Sequence, residues 1–244
     1  MICLTFDTDW MTEASMARFL AEFPIPGSGT FFCHDAFACL QATTHELCPH
    51  PFVSDLSDWQ AALMALNARV GGAGAGVRAH SCVFSHLMGV QLHELGFRYV
   101  SQATALFQSG LAPFRHPWGI WELPIYYMDN MDSCMAANWP ELGHRPFASE
   151  WIARSLREPG LYVFDFHPLH IALNTPSQQA YQQVKSRILE EHVSPFDLAF
   201  AGRGARTYFV ELCEAMRAAG EPSLTCRQAL ASWERRATPV AGLT

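Results

Sequence analysis

The chain has 244 residues, half of them hydrophobic and only 16% charged, which supplies a large core and excludes a disordered chain. A formal net charge of −7, with Lys185 the sole lysine and no Lys/Arg block, argues against a nucleic-acid partner. No apolar run approaches the ~20 residues of a membrane helix, no basic segment precedes the first apolar run, and the eight cysteines form no Cys-x-x-Cys pair, so the expectation is a cytoplasmic protein with reduced thiols and no integral membrane segment.

In chain order, strand-like apolar runs at 2–6, 29–33, 77–80, 97–101, 122–128 and 161–166 alternate with helix-like stretches at 12–22, 57–69, 86–95, 148–157, 177–190 and 206–219. This alternation predicts an α/β fold of parallel strands with helical crossovers in a single domain over 1–244. Thr12 offers a helix start and Gly220 a helix stop. The glycine-rich run 71–76 lacks the Lys-Ser/Thr of a phosphate-binding loop and reads as a flexible linker feeding the strand at Val77. Only the last ~20 residues read as peripheral.

The first predicted strand ends in Thr5-Phe6-Asp7-Thr8-Asp9-Trp10. Burying a carboxylate costs several kcal/mol unless it is paired or bound to a cation, and the C-terminal ends of parallel strands are where active sites collect. Three histidines, His50, His80 and His167, also stand at or near predicted strand ends. One carboxylate with two imidazoles makes a three-ligand site with an open position, the arrangement of catalytic zinc. A bound cation would also remove the objection to a buried Asp9.

The ordered set of motifs resembles the polysaccharide deacetylases (carbohydrate esterase family 4), from Met1 to about Leu230. Thr5-Phe6-Asp7-Thr8-Asp9 resembles the family's opening motif, and Gly29-Thr30-Phe31-Phe32 its second strand. His45-Glu46-Leu47-Cys48-Pro49-His50 resembles its His-Glu-Ile-Gly-x-His phrase, and Asp165-Phe166-His167-Pro168-Leu169-His170 its late histidine-bearing strand end. The resemblance implies a distorted (β/α) barrel of about seven parallel strands that removes an N- or O-acyl group from a sugar by metal-assisted hydrolysis. Carried residue by residue, it makes Asp7 the general base, Asp9 a metal ligand and His167 the general acid. The metal is a divalent ion, zinc first among the candidates, and lowers the pKa of its water toward ~7 while polarising the acyl carbonyl.

The chain departs from the family in its histidine pair. Relatives carry His-Ser/Thr-x-x-His, whereas the fourth residue after His50 is Ser54 and the fourth after His80 is Phe84. The ligand set read here is Asp9, His50 and His80, with His86 as the substitute for either histidine. Arg78 takes the role of the family's arginine that keeps the base ionised. Arg115, in Phe114-Arg115-His116-Pro117-Trp118-Gly119, resembles a second version of that arginine and remains the alternative.

Other features admit two readings each. Trp118, Trp121, Tyr126 and Tyr127 suit the faces of sugar rings or the packing of a barrel mouth. Asp129-Asn130-Met131-Asp132 could orient the general acid or bind sugar hydroxyls, or else form a solvated turn. Gly202-Arg203-Gly204-Ala205-Arg206 could hold a phosphate of a nucleotide-sugar or lipid-linked glycan. The expected function is a metal-dependent deacetylase of a sugar or polysaccharide precursor, as in surface-polysaccharide (O-antigen-type) biosynthesis. The alternatives are a non-catalytic carbohydrate-binding barrel and a hydrolase of another non-peptide C–N bond.

Overall fold

The computed structural model describes residues 1–53, 58–72, 75–138 and 140–237. Ser54, Ser57, Ala73, Gly74 and residues 238–244 lie outside these, so the position four after His50, the start of the helix expected at 57 and part of the glycine run are not described.

Five parallel strands form one sheet in the order β3-β2-β1-β9-β8: β1 (Ile2–Asp7), β2 (Thr30–Cys33), β3 (Glu46–Pro49), β8 (Ile125–Met128) and β9 (Tyr162–Phe166). A second sheet runs β4-β5-β7-β6, from β4 (Gly76–Val77), β5 (Tyr99–Val100), β7 (Trp121–Glu122) and the antiparallel β6 (Phe114–Arg115). Backbone bonds from Arg78 N–H to the Pro49 carbonyl and from His80 N–H to the Pro51 carbonyl join β3 to β4. On the other side, Leu123 N–H reaches the Val100 carbonyl and Ala105 N–H the Ile125 carbonyl. β7 and β8 thus act as one interrupted strand, and seven positions surround the centre as expected, although single bonds in place of continuous ladders leave the barrel incompletely closed.

Side chains alternate along the strands because the strand period is two. Leu4, Phe6, Phe31, Phe164 and Phe166 face outward and pack with Met16 and Phe19 of α1 (Glu13–Glu22) and with Tyr208, Phe209 and Leu212 of α9 (Ala205–Ala219). Cys3, Phe32, Cys48, Tyr99, Leu123 and Val163 face inward as a second cluster. Trp59 and Leu63 of α3 (Trp59–Val70) and Met88 and Leu92 of α4 (His86–Glu94) cover β4 and β5. Helices α2 (Ala38–Gln41), α6 (Glu150–Arg157) and α8 (Gln178–Leu189) complete the outer layer.

Four differences from the sequence reading have physical causes. β3 was not among the expected strands, since Glu46 is a charged residue in a four-residue run; it is buried because Thr30 and Arg227 bind its carboxylate. The segment 129–132 is no solvated turn but the start of α5 (Asp129–Asn138), with Asp129 and Asp132 both buried and paired. No helix was among those expected between 166 and 177, yet His170 lies in α7 (Pro168–Leu173), which Pro168 opens from its first turn. Residues 226–237 are not peripheral: they form α10 (Cys226–Ala237), whose Cys226, Ala229 and Leu230 close the inward cluster at the N-terminal ends of the strands.

Candidate active site

The first strand delivers two acids to different environments. Asp7 lies on the inward face with Thr5, and Asp9 follows in the loop beyond the strand; both are buried. His50 directly follows β3. Its Nδ1–H donates to the Arg78 carbonyl at 2.8 Å, which fixes the tautomer and aims Nε2 at the acids. That Nε2 lies 3.3 Å from Asp9 Oδ2 and 3.8 Å from Asp7 Oδ2. His80 enters from the end of β4 where Ser81 and Cys82 adopt left-handed backbone angles (φ 57° and 53°), a turn that stops the expected strand 77–80. Its Nδ1 is 3.2 Å from the same Asp9 Oδ2. Ligand atoms of Asp9, His50 and His80 all lie within 4.8 Å of one another, the one such group found among the described residues.

A divalent cation fits this set. Asp9 Oδ1 and His50 Nε2 are buried without a hydrogen-bond partner, a costly state that a cation would relieve. Carboxylate and imidazole are the donors zinc takes, and the His80 side chain is one-third exposed, which leaves the group open to solvent on that side. Burial works against the Asp9 charge, but the adjoining His50 and His80 imidazoles outweigh it and hold the carboxyl far below its usual range. His50 is likewise opposed by burial and raised by Asp7 and Asp9.

Arg78 is completely buried beneath the two acids. Its Nη1 donates to Asp7 Oδ1 at 2.8 Å, to Thr5 Oγ1 at 3.1 Å and to Asp165 Oδ1, while Nε and Nη2 donate to the Ser101 carbonyl (2.6 Å) and Ser101 Oγ (2.8 Å). The guanidinium also stacks 4.2 Å from the Phe32 ring centroid. Arg115 is on β6, bonds the Gly119 carbonyl and stacks over Trp121, with no contact to either acid. His86, the substitute ligand, is an exposed helix-start residue against Trp118 and is not part of the Asp9 group.

His167 follows β9, the strand beside β1. Its Nδ1–H donates to Asp129 Oδ1 at 2.7 Å and its backbone N–H to Asp129 Oδ2 at 2.9 Å. Burial opposes the charge, yet Asp129 prevails and lifts His167 to about 10. His170, one turn on, bonds Thr175 Oγ1 and is pushed down to about 4 by burial, so the two neighbouring imidazoles differ in charge at neutral pH. Burial also raises Asp165 against the opposing pull of Arg78.

Asp165, Thr5 and Ser101 had no assigned role in the sequence reading, and Asp129 was offered there only as part of a segment that could orient the general acid. For two of them a signal existed: Thr5 and Asp165 stand two residues before Asp7 and His167, so each shares an inward strand face with its neighbour. Several other candidates have structural roles. Tyr126 and Tyr127 are fully buried, and Trp118 stacks on His116 with ring centroids 5.0 Å apart. Arg203 binds the Phe147 carbonyl and Glu211, and Arg206 binds the carbonyls of Ile171 and Ala172, so both guanidiniums are engaged by groups of the protein itself. No described helix is long and apolar enough to cross a membrane.

Among solved structures, the chain is similar to a proposed polysaccharide deacetylase involved in O-antigen biosynthesis, WbmS from Bordetella bronchiseptica, at 21% identity and a TM-score of 0.69 over 87% of this chain and 89% of that one. It is also similar to a proposed polysaccharide deacetylase from Mycobacterium smegmatis, at 17% identity and a TM-score of 0.47 over 91% of each chain. No curated protein sequence matches it. The family model described as WbmS-like polysaccharide deacetylase matches residues 4–185, the stretch that runs from the first strand through both histidine ligand candidates and the His167–Asp129 pair, and the chain belongs to that family.

Proposed function

We propose that the protein is a metal-dependent hydrolase that removes an N- or O-acetyl group from a sugar of a surface-polysaccharide precursor. The observation that carries the reading is the meeting, at the C-terminal ends of the strands, of the Asp9–His50–His80 group with a carboxylate clamped by arginine and an imidazole clamped by aspartate. The O-antigen context of the Bordetella protein supports the substrate class.

Asp9, His50 and His80 would hold the cation, with zinc the first candidate. When bound, such an ion supplies Lewis acidity, making water more acidic and the acyl carbonyl more electrophilic. Asp7 is the base: Arg78 neutralises its buried charge and fixes Oδ1, so that Oδ2, on the His50 side, is the oxygen left to accept a proton. His167 is the acid. With Nδ1 held by Asp129, its Nε2–H is the proton available to a departing amine or alcohol, and the raised pKa keeps that proton in place through neutral pH.

The test is elemental analysis of the purified protein together with acetate release from N- and O-acetylated sugars. Stoichiometric divalent metal and acetate release lost on chelation are expected. Metal-loaded protein that releases no acetate from any of them would overturn the reading.

A further inference from the structure

We propose that Trp10 and Phe52 form a stacking platform for the sugar ring next to the one that reacts, and that the glycan continues past Trp10 into the groove between α1 and the end of α8. The inference rests on the deacetylase reading and narrows its substrate to an oligosaccharide. Trp10 directly follows Asp9, and Trp10 and Phe52 are each 46% exposed. Their ring centroids are 6.0 Å apart, and the Phe52 ring lies 4.4 Å from the His80 ring. Two large aromatics in water beside the candidate ligands have no core to serve, and flat rings of this kind match the C–H faces of a pyranose.

The backbone supplies a second, independent observation. Trp10 has φ 61°, a left-handed conformation that a bulky side chain rarely adopts and that gathers at ligand clamps. On its far side Trp10 lines a cavity of about 480 Å³ together with Thr12 and Ser15 of α1 and with Leu189 and His192. His192 also has a left-handed backbone, φ 56°. Two non-glycine residues in this conformation therefore border one groove that leads away from the metal group. Its walls mix apolar surface with hydroxyl and imidazole groups, the combination a sugar ring requires. A nucleotide's phosphates fit less well, because the arginine on this wall, Arg18, is already engaged by Glu22 at 2.6 Å.

The experiment is calorimetric titration of wild type, Trp10→Ala and Trp10→Phe with N-acetylhexosamine monosaccharides and with their β-1,4-linked tetrasaccharides in gluco and galacto form, with acetate release measured in parallel. Wild type should bind one tetrasaccharide at least ~10-fold more tightly than its monosaccharide, the magnitude of a lost stacking contact. Trp10→Ala should abolish that ratio and Trp10→Phe should keep most of it, with monosaccharide binding unchanged in both. A wild type without length preference for either sugar, or a ratio untouched in Trp10→Ala, overturns the groove. A Trp10-dependent length preference in a protein that releases no acetate supports the groove and strikes the deacetylase reading alone.

Discussion

Asp129 grips His167 twice, through the ring Nδ1–H at 2.7 Å and the backbone N–H at 2.9 Å, so one carboxylate sets both the orientation and the charge of the imidazole. His167 is raised to about 10, and a group with a raised folded pKa is protonated below that value. The stability it adds is fully present below the unfolded imidazole pKa of ~6.5 and is lost as pH rises through about 10. An acid that must donate loses activity over that same rise. In Asp129→Asn, kcat should fall ~10²-fold and its alkaline limb should move toward neutral pH, with metal content unchanged. A pH–kcat profile decides it: an alkaline limb that stays in place removes His167 from the acid role.

The two acids of the first strand should separate by experiment. Arg78 touches Asp7, whereas both imidazoles converge on Asp9 Oδ2. Asp7→Asn is therefore expected to retain metal and lose ~10²–10⁴-fold in turnover, the range of general-base catalysis. Asp9→Asn, His50→Ala and His80→Ala should each lose metal. Elemental analysis of the four variants suffices, and metal released by Asp7→Asn would reverse the two assignments.

Arg78 also carries a stability prediction. It is completely buried and its Nη1 serves Asp7, Thr5 and Asp165 at once. Arg78→Met takes away the guanidinium that two buried carboxylates share, and removing one partner of a buried ion pair costs ~3–5 kcal/mol. Arg78→Met/Asp165→Asn should recover part of that loss by removing one of the stranded charges. Equal denaturant midpoints for the single and double variants would show that the Asp165 contact contributes nothing.

The legible parts of the molecule were those in which one strand or helix announces itself. The run before Asp7, the Phe-rich second strand and the 161–166 strand were all visible as apolar segments, and their carboxylate or histidine ends marked the site. The family motifs then supplied Asp9 and His50 as ligand candidates, although the meeting of His50 with His80 could not be read from helical spacing. It depends on the left-handed turn at Ser81 and Cys82, in residue types that do not advertise one. Asp129 was legible only as one of two readings of its segment, for a different reason. Its segment is polar, and its burial is made tolerable by the Asn130 N–H and by the ring and backbone of His167, a partner 38 positions away.

The chain's last described helix shows the same limit and gives the final test. Read alone, 226–237 is a polar helix with two arginines in its last turn, and nothing local says where it docks. In the fold it seals the lower end of the barrel. Cys226, Ala229 and Leu230 enter the inward cluster, Cys226 N–H donates to Thr30 Oγ1 at 2.8 Å, and Arg227 bonds the buried Glu46 through Nε at 3.1 Å. Ending the chain at Thr225 would expose that cluster to water and strand Glu46 in the interior. Fully burying a single leucine-sized side chain is worth ~1.5–3 kcal/mol, and in a protein of this size each kcal/mol shifts the melting temperature by ~2–4 °C. The truncated chain should therefore melt at least ~10 °C lower. Arg227→Ala alone, which spares the apolar contacts, should cost only a small part of that. A truncated chain that melts with the full-length protein would show that α10 is an appendage and not the floor of the barrel.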